Sequence, residues 1–221
     1  MAVVTLSRQV GSNGDEIAQR VCDLLGYSYF DKRLMIEAAS EVGLCDHEVV
    51  DFSEEHYKVQ DFLSRLFGGK PRPVKDLLIR EEKHGVVDPL TAREFDEMHC
   101  VELVTKTVLS AYQKGNMVIV GRGGQAILKG KPGVLHVRVI AAQEVRIQRL
   151  RAQGIAGIAK IKVMIEQKDR ATAEYLKRFF NIEWDDPTLY HLVLNTGALE
   201  IDDAAHIMAE AVRQLKPAAV A

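Results

Sequence analysis

Apolar residues in this chain fall into short uninterrupted runs, separated by stretches with helical period. Residues 2–6 form the first run and are rich in β-branched side chains. A run that is apolar without alternation suits a strand buried on both faces of a parallel sheet. From Asp15 onward, Ile17, Val21, Leu24 and Leu25 share one helical face, and Gly26 is placed to end the helix. Residues 27–30 read as a second strand, so the first thirty residues spell strand, loop, helix, strand. A helix is expected over 34–42. The segment 46–93 is more polar and less regular, with a helix over about 47–67, a Gly/Pro break at 68–73 and a charged stretch at 77–84. It reads as an inserted subdomain.

Helical period returns at Phe95, Met98, Val101, Val104, Val108 and Ala111, and Gly115 stops it. Residues 117–120 and 134–141 read as buried strands. An arginine-rich helix follows (Arg146, Arg149, Arg151), then a basic helix over 159–180, a last strand at 189–194, and a helix on Ile201, Ala205, Met208, Val212 and Leu215. The tail after Pro217 carries nothing to order it. Five strands alternating with helices predict an α/β chain with a mostly parallel sheet covered on both faces.

Composition narrows this picture. The chain has 221 residues, 47% of them hydrophobic, enough for one domain with a proper core. A net charge of −2 gives no bulk attraction to nucleic acid or to a membrane surface. No apolar run approaches the ~18 residues of a membrane span. Cys22, Cys45 and Cys100 are an odd, widely spaced set without metal-ligand spacing. They read as reduced thiols of a cytoplasmic protein, with Cys22 and Cys100 packed in helices. Because the chain enters its first strand at once, no leader peptide is expected. No histidine pair has metal-ligand spacing either, and Trp184 is expected to pack a turn.

In open α/β sheets, ligands sit outside the carboxyl ends of the strands. Three groups fall at such ends: Gly11-Ser12-Asn13-Gly14, Asp31-Lys32-Arg33, and Gly121-Arg122-Gly123. The first has the layout of a phosphate loop, with glycines that let backbone N–H groups converge and a helix N-terminus behind them. Its chemical side chains differ from the G-x-x-x-x-G-K-[ST] signature: Gly14 stands where the lysine would be, and Asp15 where the hydroxyl would be. Arg8, just ahead of the turn, is the nearest replacement cation, and Lys32 a second. Arg122, between glycines after a buried strand, is placed to bind an anion. Asp31 also suits an N-cap. The basic run 160–178 reads equally as a solvated helix face, since Glu166, Asp169 and Glu174 allow internal pairs.

Several stretches in order resemble the cytidylate kinase-like family of P-loop nucleoside monophosphate kinase folds. They are Ser7-Arg8-Gln9 before the glycines, 25–32, 118–123, the Arg146/Arg149 helix, Asp169 with its basic neighbours, and 190–196. The resemblance implies a three-layer P-loop NTPase-like fold around five parallel strands. It also implies a monophosphate-binding insertion at 42–93 and a lid at 152–180. By position, Gly11, Ser12, Asn13, Gly14 and Asp15 would hold ATP phosphates with Mg. Asp31, with Lys32 and Arg33, would lie near the acceptor nucleotide, and Arg122 would grip the acceptor phosphate. Arg8, Arg122, Asp169 and Arg170 would carry the chemistry, with Arg146, Arg149 and Lys168 as further lid cations. Thr172 stands where the family pattern has an arginine.

Two functions follow from the same site. One is a nucleotide-dependent phosphotransferase acting on a nucleoside monophosphate or another small phosphorylated or hydroxylated acceptor. The other is a nucleotide-binding or regulatory module without turnover, which Gly14, Asp15 and Thr172 favour. A purely structural homo-oligomer leaves the convergence of three charged loops unexplained, although self-association is compatible with either function.

Overall fold

The computed structural model describes residues 1–30 and 89–215, with the side chains of 89–100 and of 103 also outside the description. The helices expected over 34–42 and 47–67, the break at 68–73, Asp31, Lys32, Arg33, Cys45 and the tail after Pro217 therefore lie outside the described residues.

Strand β1 (Val3–Arg8) leads through a short loop into helix α1 (Gly14–Leu25), then β2 (Ser28–Phe30). Gly26 closes α1 in the left-handed region at φ 65°, returning its N–H to the carbonyl of Cys22. After the undescribed stretch come α2 (Pro89–Lys114), β3 (Met117–Val120) and the single turn α3 (Gly124–Ile127). The chain continues through β4 (Val134–Ile140), α4 (Gln143–Ala152), α5 (Ile158–Phe180), β5 (Leu192–Asn195) and α6 (Ile201–Gln214).

The strands lie in the order β2-β3-β1-β4-β5, and every described pairing is parallel. From β1 the chain crosses β3 to reach β2, whereas from β3 it crosses β1 to reach β4. The connections thus leave neighbouring strands in opposite directions, which opens a crevice at their carboxyl ends.

Alternation within the strands fills two separate cores. Val4, Leu6, Val118, Val120, Val137, Val139 and Leu194 face α1 and α6, where Ile17, Val21, Ala204, Ala205 and Met208 complete the cluster. Val3, Met117, Ile119 and Val134 face the other way, against Val104, Val108 and Ala111 of α2. These are the three layers of an α/β fold, a parallel sheet with helices on both faces. Cys22 lies in the first core, where burial pushes its thiol up to about 11, so it packs rather than reacts.

Several strand boundaries move by a residue or two from the sequence reading, and the last strand departs most. The last strand begins at Leu192 rather than 189, because Pro187–Leu189 is a 3-10 turn. Asp186 caps it, accepting from the N–H and the hydroxyl of Thr188. A second finding is a buried polar column on the α2 face: Thr5, Ser7, His136 and Arg138. Trp184 donates its indole N–H to Ser7 Oγ at 2.7 Å. The Arg138 guanidinium lies 4.5 Å from the Trp184 ring centroid and bonds the Trp184 carbonyl and Asp185. Trp184 thus packs a turn, as expected, and also shields an arginine.

Candidate phosphate-binding site

The five residues Gln9 to Asn13 join the carboxyl end of the central strand to α1. Both the N–H and the hydroxyl of Ser12 donate to the Gln9 carbonyl, at 3.2 and 2.7 Å, which closes the turn. Gly11 and Asn13 take left-handed conformations, at φ 78° and 61°. Asn13 is the N-cap residue, yet its side chain makes no capping bond. The first-turn N–H groups of α1 have no intrahelical acceptors, and they carry the positive end of the helix dipole. Left-handed residues feeding such a terminus form a concave ring of donors suited to an anion.

Gly14 has a steric reason to be glycine. A Cβ there would lie 2.5 and 2.8 Å from Cβ and Cγ of Arg8. The arginine stem fills the space in which a side chain at 14 would start. Arg8 then donates from Nε to Asp15 at 3.1 Å, and Tyr29 donates its hydroxyl to the same carboxylate oxygen at 3.3 Å. Arg8 is largely covered, with 16% of its side chain exposed, while Asp15 is 63% exposed. Burial of the Tyr29 phenol and the charge of Asp15 hold its pKa above the usual range, so it stays a donor.

Two clamps hold the loop from behind. In the first, Asp169 of α5 accepts the Val10 N–H at 3.2 Å and an Arg146 N–H at 2.6 Å, while the same Arg146 nitrogen donates to the Val10 carbonyl at 3.2 Å. Burial raises the Asp169 pKa, and the bonds from Arg146 and Val10 pull it back. In the second, Arg149 donates to the hydroxyl and carbonyl of Thr196, at 2.9 and 2.6 Å, and Thr196 donates to the Ser12 carbonyl at 2.8 Å. Gln9 adds a third tie by accepting the Ala141 N–H at 3.2 Å.

The second loop, after β3, abuts the first: the Gly121 N–H donates to the Leu6 carbonyl at 2.9 Å. Gly121, Arg122 and Gly123 are successive left-handed residues, at φ 69°, 63° and 66°. Gly123 also has a close neighbour, since a Cβ there would lie 2.7 Å from Cε2 of Phe180. Arg122 is half-buried at this junction. Beside the first loop, a cleft of about 510 Å³ lies among Gln9, Ile140, Ala141, Asp185, Pro187 and Asn195.

Of the expected residues, the structure brings together Arg8 at the end of β1, Gly11, Ser12 and Asn13 in the loop, and Gly14 and Asp15 at the start of α1, with Arg122 in the adjoining loop. Asp169 faces the backbone of the first loop from α5. Arg170 lies on the exposed side of α5, paired with Glu174 at 2.8 Å. Arg146 and Arg149, expected as lid cations, bond the loop and Thr196 instead. Sequence reading missed the roles of Gln9, Tyr29 and Thr196, whose partners are remote in sequence. Among the described residues, no three His, Cys, Asp or Glu side chains cluster to hold a metal, and no helix is long and apolar enough to cross a membrane.

Comparison with known proteins adds the lineage. The profile of the Cytidylate kinase-like family matches residues 3–198. The chain belongs to that family. A curated relative, the cytidylate kinase of Methanocaldococcus jannaschii, is 29% identical over 119 residues, spanning 52% of this chain and 66% of its own length. In three dimensions the chain is similar to an uncharacterized protein from Eubacterium ventriosum, with a TM-score of 0.64, 15% identity, and coverage of 97% of this chain and 99% of that one. It is also similar to TT1252 from Thermus thermophilus, with a TM-score of 0.51, 16% identity, and coverage of 97% and 98%. At these identities the structural likenesses show the fold alone. The family makes this a nucleotide kinase-like protein.

Proposed function

We propose that the protein is a cytidylate kinase-like phosphotransferase, moving the terminal phosphoryl group of ATP to a nucleoside monophosphate or a similar small acceptor. The observation that carries this reading is the pairing of two left-handed loops at the carboxyl ends of β1 and β3, the first opening onto the N-terminus of α1. Phosphoryl transfer needs positioning and charge neutralisation more than covalent help, and two adjoining anion sites supply both.

In this reading the loop amides and the first turn of α1 hold the donor phosphates. Arg8 supplies the cation that the missing lysine would have given, approaching from the strand rather than from position 14. Arg122 holds the acceptor phosphate through its planar fork. Asp31, Lys32 and Arg33 follow β2 directly in sequence and serve the acceptor side, with 42–93 as the monophosphate-binding insertion. The segment 152–180 acts as the lid, with Arg170 on its outer face. Asp15 is an oxygen donor in the first turn of α1, the ligand class Mg takes, and it fits an ion held otherwise by phosphates and water. When bound, Mg would neutralise charge on the transferring phosphates.

A thermal-shift panel of nucleotides with Mg tests the binding step, because a ligand held only by the native state raises the melting temperature. ATP is expected to raise it, and ATP consumption is expected with one or more monophosphates. No shift with any nucleotide plus Mg overturns the reading. A shift with no turnover across the panel selects the second function, a nucleotide-binding protein without catalysis. Its specific support is the engagement of Arg8 with Asp15 and the absence of a loop lysine.

A further inference from the structure

We propose that Asp169 is a positioning residue: it locks helix α5 to the glycine loop through the Val10 backbone and does not touch phosphate. The inference rests on the phosphate-binding reading above. Ile161, Ile165 and Asp169 recur every four residues along α5, so the carboxylate continues the buried face that packs on α4. Val10 packs against that same cluster. The Asp169 carboxylate accepts from the Val10 N–H and from the Arg146 guanidinium, so both bonds point toward the loop. Arg146 in turn holds the Val10 carbonyl. Val10 is therefore gripped on both sides of its Cα, and the planes of the two peptides entering the loop are set. Because a trans peptide directs its N–H opposite to its C=O, turning the Val10 carbonyl onto Arg146 aims the Gly11 N–H away from Arg146. A residue at the middle of α5 thereby controls a donor of the loop without reaching the ligand.

The test has one arm without nucleotide and one with it. Hydrogen exchange on the unliganded protein follows the Val10 amide, whose acceptor is Asp169. Asp169→Ala is expected to speed its exchange at least tenfold while β1 amides keep their protection. ATP affinity in the presence of Mg should then fall about tenfold in Asp169→Ala and in Arg146→Ala. The double variant should lose no more than the worse single one, because the pair acts as a unit. Monophosphate affinity should stay unchanged. A carboxylate facing the phosphates gives the opposite sign, since its removal relieves repulsion and tightens ATP binding. Tighter or unchanged ATP binding, unchanged Val10 exchange, or additive losses each overturn the proposal. If Asp169→Ala does not fold, Asp169→Asn keeps an acceptor for Val10 but not the ion pair, and is expected to show a smaller change in the same direction. Wild-type protein that binds no nucleotide overturns the function reading instead, and the exchange arm then decides the clamp alone.

Discussion

Arg8 and Gly14 exclude each other's alternatives. With the arginine stem 2.5 Å from where a Cβ at 14 would sit, a lysine cannot be restored there without moving Arg8. Gly14→Lys is therefore expected to destabilise the fold and to weaken ATP binding rather than rescue it, as urea unfolding and a binding titration would report. Arg8→Ala should weaken ATP binding by about tenfold or more, in line with roughly 1.5–3 kcal/mol for a hydrogen bond to a charged group. An unchanged affinity would show that Arg8 is not the replacement cation. The glycines and the missing lysine were plain in the sequence. That the lysine's space is taken by a residue six positions earlier was not, because spacing carries no information about stem direction.

His136 makes stability depend on pH. It is buried beside Thr5, whose hydroxyl lies 2.7 Å from Nδ1. Burial, helped by nearby His191, pushes its pKa down to about 4. Between pH 6.5 and 4 the unfolded chain takes up a proton that the folded one refuses. Stability is therefore full above pH 6.5 and lost as pH falls, by about 2 kcal/mol at pH 5. Urea unfolding at pH 7.5 and 5 should show this loss, and His136→Gln should flatten it.

At the scale of elements, the periodicities of α1 and α6 were legible because each helix buries one regular stripe, whereas α5 was legible only as a basic helix and its buried face was not. The strand containing His136 and Arg138 was legible as a strand, but its polar column was not explained until Trp184 covered it. Connections between distant elements stayed hidden: Thr196 reaches Ser12 across 184 residues, and Asp169 reaches Val10 across 159. Thr196→Val keeps the shape but strips the hydroxyl from the Ser12 carbonyl and Arg149. It is expected to cost about 1–3 kcal/mol in chemical unfolding, the penalty for leaving buried partners unsatisfied. Helix α1 is anchored by Ile17, which is fully buried. Ile17→Ala should cost about 2–5 kcal/mol and loosen the helix start that faces the loop.

At the scale of the whole molecule, the strand order follows from what each strand must bury. β1 is covered by both cores and sits in the centre, while β5, with exposed Val193, lies at an edge. A central strand whose two neighbours come late in the chain has a consequence for synthesis. Val3 pairs with Met117 and with Val134, so β1 leaves the ribosome more than a hundred residues before either partner. At about 5–20 residues per second it waits roughly 6–25 seconds as an unpaired, β-branched apolar segment. A nascent chain stalled before β3 should therefore sediment with aggregates or with a chaperone holding its first eight residues. A chain released after β4 should not.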